Sequence, residues 1–303
     1  MFPDFLVIGG QKCGTSWLQD NLSSHPQVWL PPTKEVHYFD KGNDSLPKRL
    51  FGTTKRMKKA RAHAAQEFRT WLAGGGASGL KWALTYWLAR RDDQWYARLF
   101  PRQDGKITGE ICPGYALMRG VEVDRVASLM PGVKVIYLLR NPVERSWSYA
   151  AQYFSSPRRK GHYGGADKVP EAILKEFLAE DAKGHSDYLN ALEAWQGHFA
   201  ADQMMVGYFD ELESDPRGLF VRVLDFLDID AGPASIPPSI GENRRASRGS
   251  KAPMDYRVFL ARLHLDQLRA LHERLGSEWT KRWLDEALEL TADARPSLAG
   301  PVS

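Results

Sequence analysis

The chain has 303 residues, 43% of them hydrophobic and 26% charged, with a formal net charge of +4. That is the make-up of a globular protein large enough to bury a real core. It excludes a membrane span, because the longest apolar runs, 5–8 and 133–139, are strand length and far short of the ~20 residues a bilayer needs.

In chain order, residues 5–9 form a continuous apolar run ending in Gly-Gly, the pattern of a buried parallel strand. A helix follows over 15–22, with Trp17, Leu18 and Leu22 on one face, and a short strand over 27–30. Residues 83–100 read as one strong helix stopped by Pro101, 106–111 as a strand and 121–130 as a helix. The clearest buried strand is 133–139, which runs into Arg140-Asn141-Pro142 and a helix over 143–154. Helices over 171–182 and 186–199, a strand over 204–208 and a helix over 216–227 come next. A loop over 232–253, rich in Pro, Gly, Ser and Arg, precedes closing helices over 256–275 and 279–290. Alternation of this kind predicts an α/β fold, a mostly parallel sheet with helices on both faces and ligands at the carboxyl ends of the strands. No repeat or linker divides it. One domain over 1–290 is expected, with 291–303 a flexible tail.

Two cysteines, Cys13 and Cys112, exclude a disulfide framework. Eight histidines without HExxH-type spacing give no metal-ligand pattern, so no metal is expected. The N-terminus carries no cationic segment ahead of an apolar one, and a cytoplasmic location is the expectation. Positive charge clusters in 48–61, in Arg158-Arg159-Lys160, and in Arg244, Arg245, Arg248 and Lys251. The first two read as solvated faces. The third lies among Gly and Ser in a helix-poor loop and suits anion binding.

The segment Gly9-Gly10-Gln11-Lys12-Cys13-Gly14-Thr15-Ser16-Trp17 joins the first strand to the first helix, where backbone N–H groups and a helix N-terminus cradle phosphate. It departs from GxxxxGK[ST], since Thr15 stands in the Lys position and the cation sits inside the loop, at Lys12. No apolar strand ends in an aspartate for Mg²⁺, which speaks against a kinase using ATP, the main competing reading. An RNA-binding protein is a weaker competitor, because aromatic-basic interleaving is absent and no nucleic-acid partner is expected.

The loop resembles the 5′-phosphosulfate loop of sulfotransferases that use 3′-phosphoadenosine 5′-phosphosulfate (PAPS), with its Lys-x-Gly-Thr-Ser/Thr-Trp-Leu pattern at 12–18. The resemblance implies the P-loop-like sulfotransferase fold, PAPS as donor and 3′-phosphoadenosine 5′-phosphate (PAP) as product. It implies that Lys12, Cys13, Gly14, Thr15 and Ser16 hold the 5′-phosphosulfate, and that Trp17 is either the adenine-stacking aromatic or a core residue. Arg140, at a strand end, and Ser148, just over two helical turns later, match the family's pair for the 3′-phosphate; a strand-end salt bridge to Glu144 is the plain alternative for Arg140. Arg248, Gly249, Ser250 and Lys251 resemble its late closing loop, with Ser250 where glycan-modifying members often carry Arg. Tyr208 matches its strand-end Tyr near the adenine.

Sulfuryl transfer needs a base for the acceptor's proton and a cation for charge on the leaving phosphate. Lys12 suits the second task. Lys34-Glu35-Val36-His37-Tyr38-Phe39 resembles the Lys-Glu-x-His-Phe-Phe stretch of members that modify sugar hydroxyls and amines, whose Glu is the base. Glu35 is therefore the expected base and His37 its rival, with Lys34, His37 and Lys81 on the acceptor side. Trp71, Trp82, Trp87 and Trp95 are either an acceptor wall or core. In Glu110-Ile111-Cys112-Pro113-Gly114-Tyr115, Ile111 replaces the Lys of the family's Glu-Lys-Ser/Thr-Pro-x-Tyr. Either another cation substitutes, such as Lys81 or one of the 48–61 cluster, or the acceptor is not a glycosaminoglycan-like polyanion. The acceptor, a sugar or small natural product, stays open, as do O- against N-transfer and the oligomeric state.

Overall fold

The computed structural model describes residues 1–41, 58, 61–62, 65–66, 68–69, 78–103, 105–156, 161–241 and 251–293. Arg248, Gly249, Ser250, Trp71, the cluster at 158–160 and most of the cluster at 48–61 lie outside them. Among the described residues, five strands make the sheet: β1 (Phe5–Gly9), β2 (Val28–Trp29), β3 (Ile107–Ile111), β4 (Lys134–Leu139) and β5 (Met204–Tyr208). They lie in the order β2-β3-β1-β4-β5, and every pairing is parallel. Phe5 sits opposite Gly109 on one side and Lys134 on the other, so β1 is the centre.

The period of two along each strand divides the core into two layers. Leu6, Ile8, Val135, Tyr137 and Leu139 face one side, and Phe5, Val7, Ile136 and Leu138 the other. The second layer is covered by α1 (Thr15–Ser24), through Trp17, Leu18 and Leu22. The first is covered by α2 (Ser78–Leu88), α3 (Asp93–Arg98), α4 (Val121–Leu129), α5 (Pro142–Phe154), α6 (Glu171–Ala182) and α7 (Tyr188–Gln196). A short α8 (Phe209–Ser214) leads into α9 (Pro216–Phe226), which joins α1 on the second layer. The hairpin of α10 (Met254–Leu275) and α11 (Glu278–Asp293) closes the first layer.

The structure departs from the sequence reading in places. The expected helix over 83–100 is two helices, because Asp92 accepts a hydrogen bond from the amide of Trp95 and starts a new helix there. α8 fills a stretch between the strand over 204–208 and the helix over 216–227 to which the sequence assigns no element: the amide of Tyr208 donates to Glu211, and a turn of helix begins at Phe209. The last helix runs to Asp293, three residues beyond the expected boundary. No helix among the described residues is long and apolar enough to cross a membrane.

Candidate active site

A cleft of about 460 Å³ opens at the carboxyl ends of β1 and β4. The loop after β1 forms its floor with Gln11, Lys12, Gly14, Thr15, Ser16 and Trp17. Gly14 precedes α1 with φ +92, and no side chain caps the helix, so the first-turn amides have no intrahelical acceptor. A Cβ at Gly14 would stand 2.8 Å from Leu212 Cδ2, so the position needs glycine for space as well as for φ. Burial, reinforced by the positive charges of Arg140 and Arg145, lowers the pKa of Lys12. An anion in the cleft would relieve both effects.

Arg140 and Ser148 line the same cleft, as their spacing predicts. Arg140 lies over the ring of Phe209 with Cζ 4.2 Å from its centroid, donates to the carbonyl of Lys12 at 3.4 Å, and stands 4.0 Å from Glu144. The salt bridge offered as its plain alternative is thus present at the outer limit of contact. Ser148 Oγ is buried and has no hydrogen-bond partner among the described residues. Gln152, one helical turn beyond Ser148, lines the cleft too, as do Phe209 and Leu212 of α8. Sequence reasoning missed all three, although the i, i+4 relation of Gln152 to Ser148 was there to be read.

The opposite wall is the segment 34–40. Lys34 donates to Ser16 Oγ at 3.1 Å, tying this wall to the phosphate-type loop, and Lys34 and Glu35 both line the cleft. The Glu35 side chain is 40% exposed, whereas that of His37 is 9% exposed and lies behind it. His37 Nδ1 is 2.7 Å from Asp40 Oδ2, and its Nε2 lies 3.5 Å from Glu35 Oε2 and 3.1 Å from Lys41 Nζ. Burial works to raise the pKa of Glu35, but the His37 bond and the charges of Lys34, His37 and Lys41 outweigh it and hold the carboxyl below its usual range. Burial likewise opposes protonation of His37, but the bonds to Asp40 and Glu35 prevail and raise its pKa. His37, Asp40 and Cys112 also bring an imidazole, a carboxylate and a thiol within 4.8 Å of one another, and the imidazole is bonded to the carboxylate.

Of the other expected residues that the structure describes, only Trp17 lines the cleft. Cys13 points into the core, its thiol 3.8 Å from the Tyr188 hydroxyl and its amide bonded to Gly10 O, so neither group faces the cleft. Trp17 lines the cleft but is mostly buried, edge-on to Phe220, with Nε1 donating to Ile240 O. Tyr208 packs against Trp283 and bonds Ser277 rather than lining the cleft. Lys81 stands exposed on α2 and Lys251 exposed before α10, and neither lines the cleft. Trp82, Trp87 and Trp95 are core; Trp82 stacks on Tyr86, and Trp95 donates to Thr85 O.

A parallel sheet whose first loop feeds a helix N-terminus, with a cation in the loop and an arginine just past the neighbouring strand, is an α/β arrangement that suits a phosphate-type anion. The model of the sulfotransferase family matches residues 3–233, and the chain belongs to that family. Over 237 residues it is 26% identical to human heparan sulfate glucosamine 3-O-sulfotransferase 3B1, covering 75% of this chain and 46% of that protein. It is 30% identical to mouse heparan sulfate glucosamine 3-O-sulfotransferase 3A1 with the same coverage. The chain thus spans about half the length of the curated relatives it matches. Among solved structures, a sulfotransferase from Alicyclobacillus acidocaldarius aligns with a TM-score of 0.59 at 21% identity, covering 93% of this chain and 99% of that one. The sulfotransferase domain of the Synechococcus PCC 7002 olefin synthase aligns at 0.53 and 14%, covering 86% and 92%. At such identities these two establish the fold.

Proposed function

We propose that this sulfotransferase takes a sulfuryl group from PAPS and passes it in line to a hydroxyl or amine of a carbohydrate or small natural product. The observation that carries the reading is the joining, in one cleft, of two anion-type anchors with an ionised carboxylate on the facing wall. Lys12, Thr15, Ser16 and the free amides of α1 suit the 5′-phosphosulfate. Arg140 and the unpartnered Ser148 hydroxyl suit the 3′-phosphate, with a charged donor and a neutral one converging.

Glu35 takes the proton from the acceptor as its oxygen or nitrogen attacks sulfur. The bond from sulfur to the bridging phosphate oxygen breaks, and Lys12 stabilises the charge that gathers there. Exposure supports Glu35 over His37 as the base, since His37 lies buried with both ring nitrogens engaged. His37 then acts through Glu35, holding its carboxylate toward the cleft. The named relatives favour a carbohydrate acceptor. Ile111, in place of the family's lysine, favours one with less negative charge than a sulfated glycan.

Calorimetric titration with PAP, in parallel with ATP and Mg²⁺, tests the donor. PAP is expected to bind without metal, with affinity lost by roughly 10- to 100-fold in Arg140→Ala, the size of a charged hydrogen bond. Glu35→Gln is expected to keep that affinity and lose turnover by about 10²- to 10⁴-fold. Preference for ATP with Mg²⁺ would overturn the assignment of PAPS as donor.

A further inference from the structure

Glu35 and His37 both adopt left-handed backbone conformations, with φ of +60 and +57. Side chains other than glycine rarely do so, and two such residues flanking one amide persist only where the surroundings over-determine them. Glu110, the penultimate residue of β3, is 1% exposed. Its Oε1 accepts from the N–H of Val36, the amide between the two left-handed residues, at 2.9 Å. Its Oε2 accepts from the hydroxyls of Tyr96 at 2.5 Å and Tyr115 at 3.0 Å. The Tyr115 hydroxyl in turn accepts from the N–H of Tyr38 at 3.1 Å. Both amides that bracket His37 therefore end on one buried carboxylate, the first directly and the second through one hydroxyl. Tyr96 adds a stacked contact with Tyr38, ring centroids 4.8 Å apart and planes at 11°.

We infer that Glu110 is a positioning residue of the active site: its ionised carboxylate, with Tyr96 and Tyr115, clamps the backbone of 35–38 so that Glu35 faces the cleft with His37 behind it. The inference rests on the reading of Glu35 as base. Glu110 is not itself a base for the acceptor, because it is out of reach and three donors occupy its oxygens.

The clamp needs the carboxylate. A proton on either oxygen removes an acceptor site and adds a donor where Val36, Tyr96 and Tyr115 already donate. Burial pushes the Glu110 pKa up to about 7, against the opposing pull of Tyr96, Tyr115, the charge of His37 and the Val36 amide. The groups facing it are Tyr96 from α3, Tyr115 from the 3-10 turn Pro113–Leu117, His37 from the clamped segment, and Cys112 two residues along the chain. Glu35 titrates below the usual carboxylate range, so the two carboxyls govern separate pH regions. Turnover then falls as pH drops through about 7, as Glu110 takes up a proton while Glu35 is still ionised. His37, whose own pKa is raised, bears on the same profile, and the part of the fall that belongs to Glu110 is the part lost in Glu110→Gln.

The test compares Glu110→Gln, Tyr115→Phe, Glu35→Gln and the double variant Glu35→Gln/Glu110→Gln. It reads kcat, KM, the pH profile of kcat, the circular dichroism spectrum and PAP affinity. Glu110→Gln is expected to lower kcat by about 10- to 100-fold, the effect of misplacing a reacting group by about 1 Å. It should keep PAP affinity within about twofold and add nothing to the defect of Glu35→Gln in the double variant. It should also remove the limb near pH 7, while Tyr115→Phe retains that limb with a smaller loss in kcat. A folded Glu110→Gln with unchanged kcat and pH profile, beside an inactive Glu35→Gln, would sink the clamp alone. Full turnover in Glu35→Gln would sink the base assignment and the clamp with it. Where Glu110→Gln fails to fold, Tyr115→Phe decides, because it leaves the carboxylate in place: an unchanged kcat there overturns the proposal.

Discussion

Ser148 presents an energetic oddity that its place on the cleft explains. A buried hydroxyl without a partner costs about 1–3 kcal/mol, and Ser148 Oγ, which has none among the described residues, lies on the cleft wall beside Arg140. Ser148→Ala is expected to weaken PAP binding by roughly 10- to 30-fold while leaving the melting temperature of the ligand-free protein unchanged or slightly higher. Titration and thermal melting check this together, and a serine kept for packing would give the reverse pattern. The Arg140–Ser148 pair was legible in the sequence because both residues sit in one segment, where helical spacing translates directly into position. Glu110 was not, although its motif was noticed for the lysine it lacks. Its partners come from α3, the 3-10 turn and the segment 34–38, and no spacing rule joins three separate segments. Tyr208 stands apart from the cleft for another reason: a strand end fixes where the backbone goes, whereas the pleat turned this ring toward Trp283.

At the scale of elements, the buried strands were the most readable, because parallel strands covered on both faces appear as continuous apolar runs. The break between α2 and α3 was hidden by the aromatic pattern of Trp82, Tyr86, Trp87, Trp95 and Tyr96, which runs through it, while the one contrary signal was Asp92. The start of α1 carries a sharper consequence. Gly14→Ala meets both the left-handed φ, about 1–2 kcal/mol for a residue with a Cβ, and the contact with Leu212. Gly276→Ala, at φ +59 with no atom within 4 Å of the new Cβ, meets the first alone. Chemical denaturation is expected to show a modest loss in both, with the larger in Gly14→Ala. Only Gly14→Ala is expected to lose PAP affinity, by more than about tenfold if the loop shifts.

Across the whole molecule, the helical layer behind the cleft is tied together by a charge that never reaches solvent. Arg145 on α5 is 0% exposed; it pairs with Asp181 of α6, donates to Ser186 at 2.7 Å ahead of α7, and bonds Ser146 at 3.0 Å. Its charge is also one of those that bear on Lys12. Asp181→Ala leaves that guanidinium buried without its counterion, and a loss of about 3–5 kcal/mol in urea-induced unfolding is expected. A loss near zero would mean that the serines and entering water suffice for it.

The place of β1 in the sheet also sets a timetable. Within the sheet, the strand that delivers Lys12 precedes the other four in sequence, yet it is the middle of the sheet, with both of its neighbours encoded far downstream. Until the chain has been made through Leu139, Phe5–Gly9 has no strand to bond on its second edge, and Arg140 is not yet there to meet the loop. Closing such long-range contacts comes late and slowly in folding. The meeting of Lys12 with Arg140 across the cleft is thus among the last features of the sheet to form, although the loop that carries Lys12 is encoded ahead of every strand but β1.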